Sequence, residues 1–181
     1  MKKFELTNEF IANRFGTKLF RIRALVEFGD VEAGELGGYV EKESNLGHDD
    51  NAWVYGNARV YGDALVYDNA RVYDNAWVYG DAQVSGDARV CGDARVCGNG
   101  DYAYAHGFGS VNRTTTFFRL KDGGVGVRCG CFYGTLAQFR DKIRETHGET
   151  KKAQEYLMLA DLMELRFEED ENEVGNRKYV E

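Results

Sequence analysis

Polar and apolar positions recur with a fixed six-residue spacing between residues 51 and 98. The eight successive hexapeptides are NAWVYG, NARVYG, DALVYD, NARVYD, NAWVYG, DAQVSG, DARVCG and DARVCG. Valine always occupies the fourth place and alanine the second, while Asn or Asp opens each unit and Gly or Asp usually closes it. Asn, Asp and Gly tolerate left-handed backbone angles, so they suit corners between short strands. Because a disordered segment lacks such periodic β-branched residues, the pattern predicts stacked strands with valine facing inward.

The pattern resembles the left-handed parallel β-helix, in which three six-residue units make one coil. This resemblance implies that valine points into a narrow tube and that coils stack at the spacing of paired strands, about 4.8 Å. The six-residue spacing extends to Val40 and Leu46 at one end and to Tyr102 and Phe108 at the other, which predicts about four coils. Leu46 lies eight residues before the next inward valine, so two extra residues predict a bulged corner within 47–51.

The flanking segments differ in composition, and we predict four units along a mainly β chain. Residues 1–39 are predicted to form an N-terminal cap with a strand in TKLFRIRALV, and residues 40–111 the β-helix. Residues 112–167 are predicted to form a small α+β module of order ββαα, with a hairpin turn at 121–124. Thr135 and Gln138 have the spacing of a capping box before the first helix, and the second helix spans about 150–167. Residues 168–181 are predicted to be an acidic tail.

Bulk properties narrow the classes of partner. The chain has 181 residues, a net charge of −7 and a pI of about 5.1, so we expect neither nucleic acid nor an anionic membrane as a general partner. No stretch approaches the roughly 20 apolar residues of a membrane span, and the start MKKFELTNEF has no apolar signal core. We therefore expect a cytoplasmic location. The four cysteines include no CxxC pair, so neither a metal nor a cofactor is predicted.

Stacking of the coils determines which outward residues become neighbours. One face carries Trp53, Arg71 and Arg89, and a second carries Arg59, Trp77 and Arg95, each with a column of tyrosines beside it. Two interpretations remain open, namely subunit contacts in a homotrimer and a ligand cleft in which Arg binds phosphate and Trp or Tyr stacks on a base. Under the second interpretation these six residues are the candidate ligand-binding side chains. Arg113 and Arg128, near the predicted hairpin, are second choices.

Two segments, GCFYGTLAQF and LGGYVEKESNLGHDDNAWVYGNARV, are similar to segments of phage and prophage proteins of the hexapeptide-repeat type. The resemblance implies a non-enzymatic oligomeric binding protein, a trimer or a multiple of it, in the cytoplasm of a bacterial host. Together with the Arg, Trp and Tyr faces, it suggests a sponge that sequesters a nucleotide immune signal, either a cyclic nucleotide or an ADP-ribose derivative, and so blocks anti-phage defence. A structural scaffold and an acyltransferase-like enzyme are the alternatives.

Three histidines are the candidate general bases for the enzyme alternative. Hexapeptide-repeat acyltransferases use a histidine near a subunit interface as the base. His48 adjoins Asp49 and Asp50 in the bulged corner, but GHDDN is also an ordinary turn composition. His106 occupies a packing position near the end of the predicted tube, and the helix dipole accounts for His147 at a helix C-terminus. We therefore assign no catalytic residue and favour a binding protein.

Overall fold

The computed structural model describes residues 2–109 and 112–168, and most of its strands belong to a parallel β-solenoid. The strands before and within the solenoid are β1 (Phe4–Ala12), β2 (Lys18–Ala24), β3 (Leu36–Val40), β4 (Trp53–Val54), β5 (Arg59–Val60), β6 (Leu65–Val66), β7 (Arg71–Val72), β8 (Trp77–Val78), β9 (Gln83–Val84), β10 (Arg89–Val90) and β11 (Arg95–Val96). The C-terminal elements are β12 (Tyr102–Phe108), β13 (Arg113–Arg119), β14 (Val125–Cys129), β15 (Phe132–Thr135), α1 (Leu136–His147) and α2 (Lys151–Phe167). The predicted β-helix with a small α+β module is confirmed.

Strands of successive turns pair in parallel at the predicted spacing. Val60 pairs with Val78, and Val78 pairs with Val96. The inward valines are all fully buried: Val54, Val60, Val66, Val72, Val78, Val84, Val90 and Val96. Burying one such side chain contributes about 1.5–3 kcal/mol, so this column is the main hydrophobic core of the solenoid.

The corners of the solenoid use left-handed backbone angles, as the closing Gly and Asp residues predicted. Asp68 and Asp74 adopt φ of 56° and 61°, angles that most L-residues avoid. Their carboxylates accept hydrogen bonds from the backbone N–H of Gly86 (3.0 Å) and Gly92 (3.1 Å) in the next turn. These bonds between turns offset the strain of placing a side chain at a corner.

The bulged corner lies where the eight-residue spacing predicted it. The backbone N–H of Gly47 donates to the carbonyl of Val66, a residue 19 positions later. The N–H of Asn51 donates to the carbonyl of Asp68, only 17 positions later. Two additional residues are therefore accommodated between Gly47 and Asn51, and the regular pairing resumes after them.

The predicted continuation of the tube through Tyr102 and Phe108 is wrong. Strand β12, which contains both residues, pairs antiparallel with β13 and belongs to the C-terminal sheet. The solenoid therefore has about three turns instead of four. The carboxylate of Asp101 ends the last turn by accepting hydrogen bonds from the backbone N–H groups of Cys97 and Gly98.

The C-terminal module contains a four-stranded antiparallel sheet of order β12-β13-β14-β15, with α1 and α2 packed on one face. The predicted β13–β14 hairpin is confirmed, but β12 and β15 were missed, so two strands were predicted where four exist. Phe118 packs into the solenoid core, whereas its neighbour Phe117 packs against the helices. Successive side chains of a strand point to opposite faces, so β13 joins the two cores.

The start of α1 confirms the capping box. The N–H of Gln138 donates to the Thr135 hydroxyl (3.3 Å), and the N–H of Thr135 donates to the Gln138 side-chain carbonyl (2.9 Å). Helix α2 begins after Thr150, whose hydroxyl accepts from the N–H of Ala153 (3.3 Å). The predicted acidic tail lies outside the described residues, apart from Glu168.

The N-terminal strands extend one solenoid sheet, in the order β1-β2-β3-β5-β8-β11. The rings of Phe4 and Phe28 pack edge-on against Trp53, with centroids 6.2 and 5.3 Å away. The ammonium of Lys3 donates to the carbonyl of Ala52 (2.9 Å), and burial lowers the pKa of Lys3 to about 8. The first strand thus covers the outer side of the first turn. The sequence analysis predicted only β2 in this region.

Candidate functional site

Two neighbouring rungs of one solenoid face present arginine. Arg71 on β7 pairs with Arg89 on β10, and Arg71 also pairs with Trp53 on β4. The expectation that Trp53 displays its indole on this face is wrong, because the N-terminal strands bury it completely. The two arginines lie side by side above it, at the roughly 4.8 Å spacing of paired strands.

The C-terminal sheet adds two more arginines to the same place. Arg113 begins β13, and Arg128 lies in β14. Two cavities share Arg71 and Arg89: one of about 550 Å³ is also lined by Arg113, and one of about 370 Å³ is also lined by Arg128. We call this feature the arginine groove and define it by Arg71, Arg89, Arg113 and Arg128. The structure therefore brings both second-choice arginines together with two of the first-choice residues.

Charge in the arginine groove is only partly neutralised. Arg71 donates to the Asp30 carboxylate (2.7 Å), which also accepts from the Tyr55 hydroxyl (3.0 Å). Slight burial raises the pKa of Asp30, but the Tyr55 hydrogen bond and the charge of Arg71 outweigh it and lower the pKa overall. In the part of the chain that the structure describes, the exposed guanidinium groups of Arg89 and Arg113 have no ion-pair partner. An anion in the groove therefore meets two uncompensated cations.

Arg128 forms the inner wall of the smaller cavity. Its guanidinium carbon lies 5.8 Å from the centroid of the Tyr73 ring, within the range of a cation–π contact. Its Nε is buried and has no hydrogen-bond partner among residues 2–109 and 112–168. Burial is the main cause that raises the pKa of Tyr73, so its ring stays neutral at physiological pH.

A ladder of polar residues borders the larger cavity. The Asn51 side-chain amide donates to the Asn69 side-chain carbonyl (3.1 Å), and the Asn69 amide donates to the Asp87 carboxylate (3.3 Å). This ladder was not predicted, although its members open three hexapeptides at the spacing of one full turn. The eighteen-residue spacing could have predicted it, because the same spacing places the outward arginines in register.

The second predicted face uses the same residue types differently. Arg59 and Arg95 flank Trp77 on adjacent rungs, with guanidinium carbons 4.9 and 4.2 Å from the indole centroid. Tyr61 and Tyr79 stack beside them at 5.3 Å with an interplanar angle of 9°. We call these five residues the stacked face. None of the described cavities is lined by them, and the role of Arg59, Trp77 and Arg95 in ligand binding stays a prediction.

His48 is part of the packing against the N-terminal strands. Its ring stacks on Phe4 with centroids 4.5 Å apart. Its Nδ1 accepts from the backbone N–H of Lys3 (3.2 Å), which leaves Nε2 to donate to the Glu43 carboxylate (3.1 Å). The histidine therefore pairs with Glu43 and has no lone pair available for a substrate. The other two histidines are also engaged: His106 with the Thr114 hydroxyl (2.8 Å), and His147 stacked on Tyr156.

The repeat geometry defines the class of protein: the chain is a β-helix repeat protein. Within it, residues 52–68, 64–80 and 82–98 match the family model of the YdcK β-solenoid repeat. This match covers the regular turns and thus includes the strands that carry Arg71 and Arg89. No curated protein matches the chain.

Two further findings concern the described residues. Neither α1 nor α2 is long and apolar enough to cross a membrane. In residues 2–109 and 112–168, no group of three or more His, Cys, Asp or Glu side chains is placed to hold a metal ion.

Proposed function

We propose that this protein is a non-enzymatic binding protein that holds a phosphate-bearing small molecule, a nucleotide, in the arginine groove. The observation that carries the proposal is the convergence of four guanidinium groups from two separate structural units on adjoining cavities. A protein with a net charge of −7 has no general reason to gather arginines at one place. A local anion site is such a reason.

The chemistry of the groove matches a phosphate ester. Guanidinium groups form bidentate, charge-assisted hydrogen bonds with phosphate oxygens. Arg89 and Arg113 form no ion pair among the described residues, although the Asp87 carboxylate lines the same cavity, so an anionic ligand does not have to displace an existing ion pair at either one. The ladder adds the neutral amides of Asn51 and Asn69, and the Asn69 amide holds the Asp87 carboxylate in a hydrogen bond. No histidine lines the arginine groove, which favours capture of the ligand over its turnover.

The narrower form of the proposal follows the resemblance to phage proteins. In that form, the protein is a phage-type oligomeric sponge in the cytoplasm of the bacterial host. It sequesters a cyclic nucleotide or an ADP-ribose derivative that signals infection, and so it blocks anti-phage defence. Sequestration needs only affinity, which stacking and charge supply without cleavage of a bond.

Isothermal titration calorimetry tests the proposal. The wild-type protein is titrated with cyclic mononucleotides, cyclic dinucleotides and ADP-ribose derivatives, with coenzyme A as the probe for the acyltransferase alternative. Arg89→Gln should weaken binding by roughly tenfold or more, because it removes a charged hydrogen-bond donor. Arg14→Gln removes an exposed arginine of the β1–β2 turn and should leave affinity unchanged. Absence of binding by every nucleotide in the panel would contradict the proposal.

One observation favours the scaffold as a second candidate function. Helix α2 exposes Met158, Leu162 and Leu165, of which 71%, 55% and 66% of the surface is accessible. Their spacing of four and three residues is that of a helix-pairing stripe. We propose that this stripe contributes to a homo-oligomer, a trimer or a multiple of it. Native mass spectrometry of Leu162→Glu should then show smaller assemblies, and an unchanged mass would contradict this role of α2.

A further inference from the structure

A third cavity lies on the other side of Arg113, between the β14–β15 turn and the helices. Its volume is about 260 Å³, and four of its ten lining residues carry aromatic rings, while Arg113 and Lys142 are the charged ones. The residues that matter here are Cys129, Phe132, Phe139, Ile143, His147 and Tyr156. We call this cavity the aromatic slot. It is smaller than the roughly 300–1,000 Å³ of a pocket for a complete drug-sized ligand, so it suits one part of a larger molecule.

Arg113 lines both the aromatic slot and the larger cavity of the arginine groove. The turn after β14 makes this position possible, because Gly130 has φ of 59° and a Cβ there would overlap the Arg113 guanidinium. A glycine at this point of a two-residue hairpin turn is favourable for the turn as well. The Arg113 guanidinium therefore lies between the arginine groove, which is polar and cationic, and the aromatic slot, which is mostly apolar.

The walls of the aromatic slot are suited to a flat ring. The His147 ring lies nearly parallel to that of Tyr156, with centroids 6.0 Å apart and an angle of 24°. Phe132 and Phe139 contact each other with centroids 5.5 Å apart, and Phe139 also packs edge-on against Tyr156 at 5.8 Å, so the four rings form one continuous aromatic lining. Aromatic side chains accept nucleobases by stacking with little dependence on base identity. Burial, the largest cause, and Cys129 raise the pKa of Tyr156 to about 12, so this ring remains uncharged at neutral pH.

The alternative place for a base, the Tyr73 ring in the smaller cavity, is less available. Arg128 already lies over that ring at 5.8 Å from its centroid. The neighbouring Tyr55 hydroxyl is held by the Asp30 carboxylate. A base that stacked on Tyr73 would have to displace the Arg128 contact, whereas the aromatic slot is open space.

We propose that the aromatic slot binds the base of a nucleotide whose phosphate groups lie in the arginine groove, with Arg113 contacting the phosphate nearest the sugar. This inference rests on the proposed function and adds to it the place where the base of the nucleotide binds, which the arginine groove alone does not provide. The C-terminal module then supplies base recognition, while the solenoid and the module each supply two of the four arginines.

Calorimetry with two probes separates this inference from the proposed function. Inorganic pyrophosphate reports on the arginine groove alone, and ADP reports on groove and slot together. For the wild-type protein we expect ADP to bind at least tenfold more tightly than pyrophosphate. Thr146→Trp fills the slot from an exposed position on α1 that lines it. This variant should bind ADP no more tightly than pyrophosphate, with pyrophosphate affinity unchanged.

Two control variants distinguish an effect on the aromatic slot from a general effect of a bulky substitution and from an effect on the phosphate groups. Gln154→Trp places the same bulky ring at an exposed position of α2 that does not line the slot, and it should leave both affinities unchanged. Arg89→Gln should weaken both probes, because it acts on the phosphate groups. Equal ADP affinity in wild type and Thr146→Trp would overturn the slot and leave the proposed function standing. Failure of the wild type to bind either probe would overturn both.

Alkylation of Cys131 gives a second readout that requires no substitution. Cys131 is the exposed one among the four free cysteines, and it lines the aromatic slot. ADP should slow its modification by iodoacetamide several-fold, as measured by mass spectrometry, while pyrophosphate at saturation should not. Equal rates with and without ADP would count against a base in the slot.

Discussion

Two faces of the solenoid carry the same residue types in different order along the stack. On the stacked face the order is Arg59, Trp77, Arg95, so an indole separates the two guanidinium groups. On the face of the arginine groove the order is Trp53, Arg71, Arg89, so the two guanidinium groups are direct neighbours. Of these two faces, the second lines the two cavities described above, which are also lined by arginines of the C-terminal module.

The order of residues has an energetic consequence. Like charges on adjacent rungs repel each other, whereas an aromatic ring between two cations attracts both. Both arginines of the stacked face are in contact with the Trp77 ring. The groove face needs negative charge from elsewhere, and Asp30 supplies it to Arg71 but not to Arg89. This difference is the reason for proposing the groove face, and not the stacked face, as the place for an anion.

The largest expected effect is on stability, and it contrasts the two tryptophans. Trp53→Ala should lower the free energy of unfolding by about 3–5 kcal/mol, because it empties a fully buried site. Trp77→Ala removes a half-buried ring and two cation–π contacts, so it should cost about 1–2 kcal/mol. Denaturant unfolding of both variants measures the difference. Similar losses would contradict the burial of Trp53 under the N-terminal strands.

The next effect is on binding, and it contrasts two arginines at the same place in the repeat. Arg89→Gln should weaken pyrophosphate binding by roughly tenfold or more, whereas Arg95→Gln should change it by less than about twofold. Arg95 is held by Trp77 and donates to the carbonyl of Asn75 (3.1 Å), away from the groove. A larger loss in Arg95→Gln would show that the stacked face takes part in anion binding.

The sequence was sufficient to predict the solenoid, because the register of its strands depends on a repeat within one continuous segment of the chain. Every outward position of the turns follows from one eighteen-residue spacing, which is why Arg71 and Arg89 were correctly placed as neighbours. The burial of Trp53 could not be predicted in this way, since Phe4 and Phe28 cover it and belong to a segment without the repeat. Tyr102 continued the six-residue spacing and packs against the solenoid core, but its strand pairs antiparallel with β13 and does not form a further turn.

The candidate site was predictable only in part, for the same reason. Arg113 and Arg128 reach the arginine groove because the C-terminal sheet docks on the end of the tube. That docking depends on contacts distant in sequence, such as the Arg89 N–H donating to the Thr116 hydroxyl (2.9 Å) and the packing of Phe118 into the solenoid core. No periodic pattern in the sequence predicts such contacts. The aromatic slot was missed because it forms between β15 and two helices, and β15 itself was not predicted.

Alkaline pH tests a property that both faces share, namely their half-buried tyrosines. Burial raises the pKa of Tyr55 to about 12 and also raises the pKa of Tyr61 above its ordinary value of 10. The unfolded chain therefore loses these protons first, and stability should fall as pH rises from about 10 towards 12. Absorbance at 295 nm, followed together with circular dichroism, measures this. Ionisation of all tyrosines near pH 10 in the folded protein would contradict the burial of both columns.

The smallest expected effect comes from Asp30→Asn. This variant separates the two roles of Arg71, as a partner in an ion pair and as a cation of the arginine groove. The Asp30–Arg71 pair is partly exposed, so its loss should lower stability by no more than about 1 kcal/mol. The same change frees the Arg71 guanidinium and removes the negative charge that competes with a ligand. Pyrophosphate affinity should therefore rise several-fold while stability falls slightly, as measured by calorimetry and denaturant unfolding of one variant. If the arginine groove only stabilised the contact between the solenoid and the C-terminal module, Asp30→Asn would lose stability without gaining affinity for pyrophosphate.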